Sequence, residues 1–266
     1  MDLSNIRMVV TDMDGTLLNS RHEVNPRFFE LYHQLKAKGV ELVAASGRQY
    51  HSMADKLEPI REDIVFIAEN GALVRHRDQT LLTTPLPRIH LNDILDRAGQ
   101  IAQAHPVLCA EGNAFVDGIS EDFLTLLREY YTDYSIAREL RSVQEPILKV
   151  AIYHFESSER FIYPAFRDLE TRLKIKVSGS HWVDVSHPDA HKGYALSRLM
   201  EERGIGPHQL MVFGDYNNDL EMLALADYSF AMANAHVNVL RAARYRTGSN
   251  EEQGVEKVLE QLLAQL

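Results

Sequence analysis

The sequence predicts an α/β protein: a Rossmann-like core domain on a parallel sheet, with an inserted α+β cap domain. Three observations carry this. Short, near-continuous apolar segments alternate with amphipathic helical stretches over 1–83 and again over 187–266, the pattern of a parallel sheet with right-handed crossovers. Residues 84–186 differ, mixing helices with segments that alternate polar and apolar positions, as in Lys149-Val150-Ala151-Ile152-Tyr153, the mark of a sheet with one exposed face. Finally, three apolar segments of the outer regions run straight into polar clusters, where an open parallel sheet places its ligands. The core domain is therefore assigned to 1–83 plus 187–266 and the cap to 84–186.

Residues 6–11 (IRMVVT) form an apolar run with β-branched members, as a strand covered on both faces requires. Asn25 as N-cap and Pro26 at the first position open a helix striped by Phe28, Leu31, Tyr32 and Leu35, with Gly39 placed to end it. Residues 40–45 and 65–68 are further buried-type strands. In the inserted region, one helix carries Leu91, Ile94, Leu95 and Ala98, and a second carries Ile162, Ala165, Phe166, Leu169 and Leu173. Strand-like segments lie between and after them at 107–110, 148–155, 175–178 and 182–185. The last region repeats the opening grammar. A helix from Lys192 bears Leu196, Leu199 and Met200 and stops at Gly204; a buried strand covers 210–213; a short helix bears Leu220 and Leu223. The final helix places Val255, Val258, Leu259, Leu262, Leu263 and Leu266 on one face.

Composition bounds the function. The chain has 266 residues, 45% hydrophobic and 25% charged, enough to bury a sizeable core and unlike any low-complexity or disordered sequence. Cys109 is the only cysteine, so no intrachain disulfide forms and a cytoplasmic location is expected. No apolar run approaches the ~18 residues that span a bilayer, and no signal-peptide pattern is present, so no membrane partner is expected. With 38 acidic and 28 basic residues the formal charge is −10, which repels nucleic acid on average. The same charge opposes a phosphorylated small molecule. A phosphate site must then be made locally by a metal ion, a lysine and backbone amides.

The sequence offers all three. The strand ends supply Asp12-Met13-Asp14-Gly15-Thr16, Ser46-Gly47-Arg48 and Gly214-Asp215-Tyr216-Asn217-Asn218-Asp219. Gathering Asp12, Asp14, Asp215 and Asp219 in one site is costly without a divalent cation, and oxygen ligands suit Mg²⁺. Taken singly, each Asp fits a turn or helix cap as well. Ser46 with Gly47 offers a hydroxyl and an unhindered amide, although Ser46 alone reads as an ordinary N-cap. Lys192 opens a helix, where a cation works against the dipole unless something anionic faces it. Twelve histidines raise the question of zinc, but His181, His187 and His191 have no recognised ligand spacing and no cysteine pairs accompany them.

DMDGTLL after an apolar strand, ASGR after the second, the Lys192-Gly193 helix start and GDYNNDLEML together resemble the haloacid dehalogenase-like phosphohydrolases. More narrowly, the chain is similar to the Cof-type sugar-phosphate phosphatases, which carry a large cap after the third strand. The Glu69-Asn70-Gly71-Ala72 turn and the late SNEEQGV segment resemble them too. The resemblance spans both ends of the chain. It implies Asp12 as the nucleophile and Asp14 as the general acid and base. It implies a Mg²⁺ ion held by Asp12, Asp215 and the backbone carbonyl of Asp14. Ser46, Gly47, Lys192 and Asn218 would hold the phosphoryl oxygens, with Lys192 counted among the catalytic groups. Thr16 would brace the loop holding Asp14, and Asp219 would support Lys192 or the metal's waters.

The function expected is a Mg²⁺-dependent phosphatase of small phosphate monoesters, sugar phosphates foremost, working through an aspartyl-phosphate. A phosphosugar mutase or phosphotransferase with the same chemistry is the alternative; a non-catalytic sensor of phosphorylated metabolites is a third. The partner expected is a small phosphorylated metabolite, bound by a monomer or weak homodimer. Glu111, Asn113, His181 and Trp182 are candidate cap contacts, each with an ordinary packing or surface role as the plainer alternative.

Overall fold

The computed structural model describes residues 1–128, 131 and 134–266. They form two compact units, Met1–Thr83 with His191–Leu266, and Thr84–Ala190.

The first unit opens with β1 (Met8–Asp12), α1 (Pro26–Ala37), β2 (Glu41–Ala45), α2 (Tyr50–Lys56) and β3 (Val65–Ala68), then the hairpin β4 (Leu73–His76) and β5 (Gln79–Thr83). The chain then builds the second unit from α3 (Arg88–Gly99), β6 (Ala104–Ala110), β7 (Ala114–Val116), α4 (Glu121–Leu127), β8 (Tyr134–Ile136), β9 (Ile147–His154), α5 (Ser158–Phe161), α6 (Tyr163–Phe166), β10 (Lys174–Val177) and β11 (Trp182–Ser186). It returns with α7 (Lys192–Arg203), β12 (Leu210–Gly214), α8 (Leu220–Leu223), β13 (Tyr228–Ala231), α9 (Val237–Ala242), β14 (Tyr245–Arg246) and α10 (Gly254–Leu263).

Among the described residues, the sheet of the first unit has eight strands in the order β14-β13-β12-β1-β2-β3-β4-β5. All neighbours are parallel except the β3/β4 and β4/β5 pairs. β1 lies in the middle, with Val10 beside Val43 on one side and Val212 on the other. All five of its residues are buried. A near-continuous apolar run suits a strand of a parallel sheet, buried on both faces. Asn25 caps α1, its side chain accepting from Arg27 N, and Pro26 occupies the first turn, where a missing N–H costs nothing. Gly204, at φ 62°, ends α7 in the left-handed conformation that a Cβ disfavours. Arg27 reaches from α1 to Glu260 of α10 at 3.0 Å. On α10, Val255, Val258, Leu259 and Leu262 are buried; Leu263 is half-buried, and Leu266 lies beyond the helix end.

The sheet of the second unit runs β10-β11-β9-β6-β7-β8, antiparallel apart from β7/β8. The expectation of one exposed face is corrected at its middle. Val150 and Ile152 of β9 pack in a cluster with Leu91, Ile94 and Phe166, while Ala151 and Tyr153 join Val107, Phe123 and Leu127 on the opposite side. The helix expected from Ile162 to Leu173 is also corrected. Pro164 has no N–H to donate and crowds the preceding turn, so the segment breaks into α5, α6 and a 3₁₀ stretch at Arg167–Thr171. Its buried residues Ile162, Phe166, Leu169 and Leu173 still reach the core.

Candidate active site

Parallel pairing brings the polar strand ends together. Asp12, the last residue of β1, stands in register with Ala45, so Ser46 emerges beside it; on the other side Thr11 faces Phe213, two residues before Asp215. Lys192 enters from the first turn of α7 and is fully buried, as is Asp219. The lysine Nζ donates to Asp12 Oδ1, and to Asp219 Oδ1 at 2.7 Å. Here is the anionic partner that a cation at a helix N-terminus requires.

Both carboxylate oxygens of Asp219 are engaged. Oδ2 accepts from the backbone N–H groups of Asp215 and Tyr216 at 3.0 and 3.1 Å. Gly214 makes room for this: a Cβ there would lie 2.6 Å from Asp219 Cβ. Asp215 Oδ1 accepts from Thr16 Oγ1 at 2.9 Å. Gly15, at φ 80°, lies so close that a Cβ would run into the Asp215 carboxylate.

Asp12, Asp215 and Asp219 each offer a carboxylate oxygen within 4.8 Å of the others. Burial pushes the Asp12 carboxyl well up, reinforced by Asp219 and Asp215 and opposed by Lys192. Burial works against the Lys192 ammonium, but Asp12 and Asp219 outweigh it and hold its pKa above the ordinary value. Burial and the Asp219 charge raise Asp215 to about 6, with Thr16 and a hydrogen bond to Asp12 pulling the other way. Three carboxyls are thus gathered around one buried ammonium. The donor set is all oxygen, which fits a hard divalent cation such as Mg²⁺. Lys192 and two amides already bond Asp219, so among these three side chains Asp12 and Asp215 could hold such an ion with less competition.

The Asp14 carboxylate is not in this cluster. Arg48 takes it in a two-pronged pair, Nε to Oδ2 at 2.7 Å and Nη2 to Oδ1 at 2.6 Å, and His22 Nδ1 lies 3.4 Å from Oδ1. Burial raises its pKa, but Arg48 and His22 prevail and hold it below the usual carboxylate range. Ser46 is buried, and its Oγ accepts from Arg48 N at 3.1 Å. It does not cap the next helix, which starts at Tyr50 after Gln49. Asn218 donates through Nδ2 to Asn70 Oδ1 at 3.0 Å, and the Asn70 amide lies over Gly47.

The segment after β1 is itself braced. Asn234 Nδ2 donates to Gly15 O at 2.8 Å, Asn250 Nδ2 to Leu18 O at 2.8 Å, and Asn250 N to Asn234 Oδ1 at 3.2 Å. Sequence reasoning gave no role to Arg48, His22, Asn70, Asn234 or Asn250. Arg48, Asn70 and Asn250 lie within Ser46-Gly47-Arg48, Glu69-Asn70-Gly71-Ala72 and SNEEQGV, and the arginine three residues past a strand end was the available signal. The second-unit candidates hold structural positions. Asn113 bonds Ser135 Oγ at 2.8 Å and closes the turn after β6 through Ala110 N. His181 Nδ1 is 3.0 Å from His154 O, and Trp182 packs edge-on to Tyr153 with ring centroids 4.9 Å apart. Glu111 is half-buried just past β6.

The family model described as haloacid dehalogenase-like hydrolase matches residues 9–259. The chain is 29% identical over 261 residues to the 5-amino-6-(5-phospho-D-ribitylamino)uracil phosphatase YbjI of Escherichia coli (strain K12), covering 97% of this chain and 96% of that protein. It is 26% identical over 238 residues to the phosphoglycolate phosphatase of Methanoculleus marisnigri, covering 90% and 88% of the two. Among solved structures, SMU.1108c from Streptococcus mutans UA159 superposes with a TM-score of 0.85 at 32% identity, over 97% of this chain and 99% of that one.

Proposed function

We infer the function from one premise: the chain belongs to the haloacid dehalogenase-like hydrolase family, and it is a phosphatase. Our reading is a Mg²⁺-dependent phosphatase of small phosphate monoesters whose phosphate sits on a sugar or sugar-alcohol chain, working through an aspartyl-phosphate on Asp12. The observation that carries it is the meeting of Asp12, Lys192, Asp215 and Asp219, from segments far apart in sequence, around one acidic centre. The ribityl phosphate named for the Escherichia coli relative supports the substrate class.

In this reading Asp12 attacks phosphorus in line with the ester oxygen. The new O–P bond forms as the bond to the leaving alkoxide breaks, and Asp14 supplies its proton. Water then attacks the aspartyl-phosphate, giving its proton to Asp14, and inorganic phosphate leaves with the Asp12 carboxylate restored. Arg48 holds Asp14 as a carboxylate, the form used in the second half; the first half requires that pair to open. Lys192 keeps Asp12 oriented and faces the negative charge of the phosphoryl group. Ser46, Gly47 and Asn218 would hold phosphoryl oxygens, and Thr16 fixes Asp215. Mg²⁺, held by Asp12, Asp215 and the Asp14 backbone carbonyl, would neutralise phosphoryl charge. The inserted unit, Thr84–Ala190, is the source of substrate selectivity in this account, since the Asp12 centre answers only to the phosphate.

The test is a phosphate-release screen over sugar phosphates, sugar-alcohol phosphates, nucleotides and phosphorylated cofactors, ranked by kcat/KM, with Asp12→Asn as control. Free phosphate from the sugar group, lost in Asp12→Asn and in EDTA, supports the reading. An isomerised ester instead of free phosphate makes the enzyme a mutase. Wild-type turnover of p-nitrophenyl phosphate by Asp12→Asn removes the nucleophile.

A further inference from the structure

We propose that Asn70 is a positioning residue of this site: its side-chain amide orients Asn218 toward the phosphoryl group, and a strained turn exists to hold it there. The proposal rests on the phosphatase reading above.

Glu69, Asn70 and Gly71 follow one another at φ 51°, 55° and 100°. The left-handed region is costly for any residue with a Cβ, and two such residues in a row persist only where the surroundings over-determine them. They do so here. Asn70 N donates to Ser46 O and Glu69 N to Arg48 O, both at 2.9 Å, so the turn is stitched to the segment that follows β2. On its other side Gly71 is packed against the start of α7: a Cβ would strike the His191 carbonyl and lie 2.9 Å from Lys192 N.

Between these two anchors the Asn70 side chain touches two of the groups assigned to the phosphate. Its Oδ1 accepts from Asn218 Nδ2 at 3.0 Å. A Cβ on Gly47 would stand 3.0 Å from its Nδ2 and 3.1 Å from its Oδ1. A carboxamide nitrogen carries two N–H groups. Asn218 spends one on Asn70, which fixes the plane of the amide and the direction of the other. Asparagine suits the task because it tolerates the left-handed backbone better than other residues with side chains.

The experiment uses the full chain with Mg²⁺ and compares wild type, Asn70→Gly, Asn70→Ala, Asn218→Ala and Asn70→Gly/Asn218→Ala. Glycine keeps the backbone conformation and deletes the amide; alanine deletes the amide and keeps the strain. Two readouts are taken: kcat and KM for p-nitrophenyl phosphate, and the rise in Tm produced by inorganic phosphate. Asn70→Gly is expected to melt no lower than wild type yet lose roughly tenfold in kcat, with KM little changed, and much of the phosphate-induced shift. Asn70→Ala should lose as much activity and melt lower. In the Asn218→Ala background, Asn70→Gly should cost roughly twofold at most, because the two residues act as one unit. Wild-type kcat and phosphate response in Asn70→Gly would overturn the proposal, leaving the turn a backbone device. So would an undiminished loss in the Asn218→Ala background. A wild type that binds phosphate without turnover would refute the phosphatase reading, while the phosphate-induced shifts still decide the role of Asn70.

Discussion

Replacing Lys192 with methionine tests the charge balance of the site. The lysine is fully buried and is the cation bonded to both Asp12 and Asp219. Methionine fills a similar volume, so the loss is electrostatic: two buried carboxyls are left facing Asp215 with no ammonium. Breaking a buried ion pair from one side costs about 3–5 kcal/mol, because the remaining charge stays desolvated. At about 2–4 °C per kcal/mol for a domain of this size, the variant should melt roughly 6–20 °C below wild type. The assay is thermal unfolding by circular dichroism in EDTA, from pH 8 to pH 5. The orphaned carboxyls acquire raised folded-state pKa values, and a carboxyl raised on folding contributes stability at low pH that is lost as pH rises through its folded pKa. The deficit should therefore be widest at pH 8 and narrow toward pH 5. A variant melting within ~2 °C of wild type at pH 8, or a gap independent of pH, would refute the argument.

Gly15→Ala, which forces a Cβ into the Asp215 carboxylate at φ 80°, should cost about 1–3 kcal/mol in stability and more than tenfold in kcat, read by melting and phosphate release. Thr16→Val removes the donor to Asp215 Oδ1; the Mg²⁺ concentration for half-maximal activity should rise several-fold while the fold melts normally. With Asp215 raised to about 6, the metal-free protein gives up stability as pH climbs through that value, and protons compete with the cation below it. The Mg²⁺-induced rise in Tm should thus be full at pH 8 and small at pH 5; an equal rise at both would place the ion elsewhere.

The parallel core was legible because its strands are buried on both faces and their residue types leave no other placement. β3 coincides with its predicted span, and β1 and β2 differ from theirs by a residue or two at their ends. The hairpin of β4 and β5 was not, since Leu73–His76 and Gln79–Thr83 are short, half-polar segments at the end of the sheet, β5 forming its edge. Nor was β13, four residues long. In the site, the aspartates and Lys192 stood out as polar residues ending apolar strands or opening a helix. Their partners did not. Arg48 folds back on Asp14, and Asn234 and Asn250 reach Gly15 and Leu18 through side-chain bonds between segments distant in sequence. Such contacts depend on loop geometry, which no residue spacing encodes. Pro164 was the opposite case, a breaker in plain view whose effect was outweighed by a good apolar stripe.

The central place of β1 shapes how the chain must come off the ribosome. Met8 hydrogen-bonds beside Leu210, so the innermost strand of the sheet, with Asp12 at its tip, waits for a neighbour made far later, after the whole Thr84–Ala190 unit has been translated. Until then one flank of β1 is an open row of amides and carbonyls flanked by apolar side chains, the kind of edge that captures other chains. Non-local pairing of this order slows folding. Nascent chains halted before Leu210 should be clients of holdase chaperones, and the enzyme's yield should respond to translation speed across the inserted unit more than to changes in the stability of the finished fold.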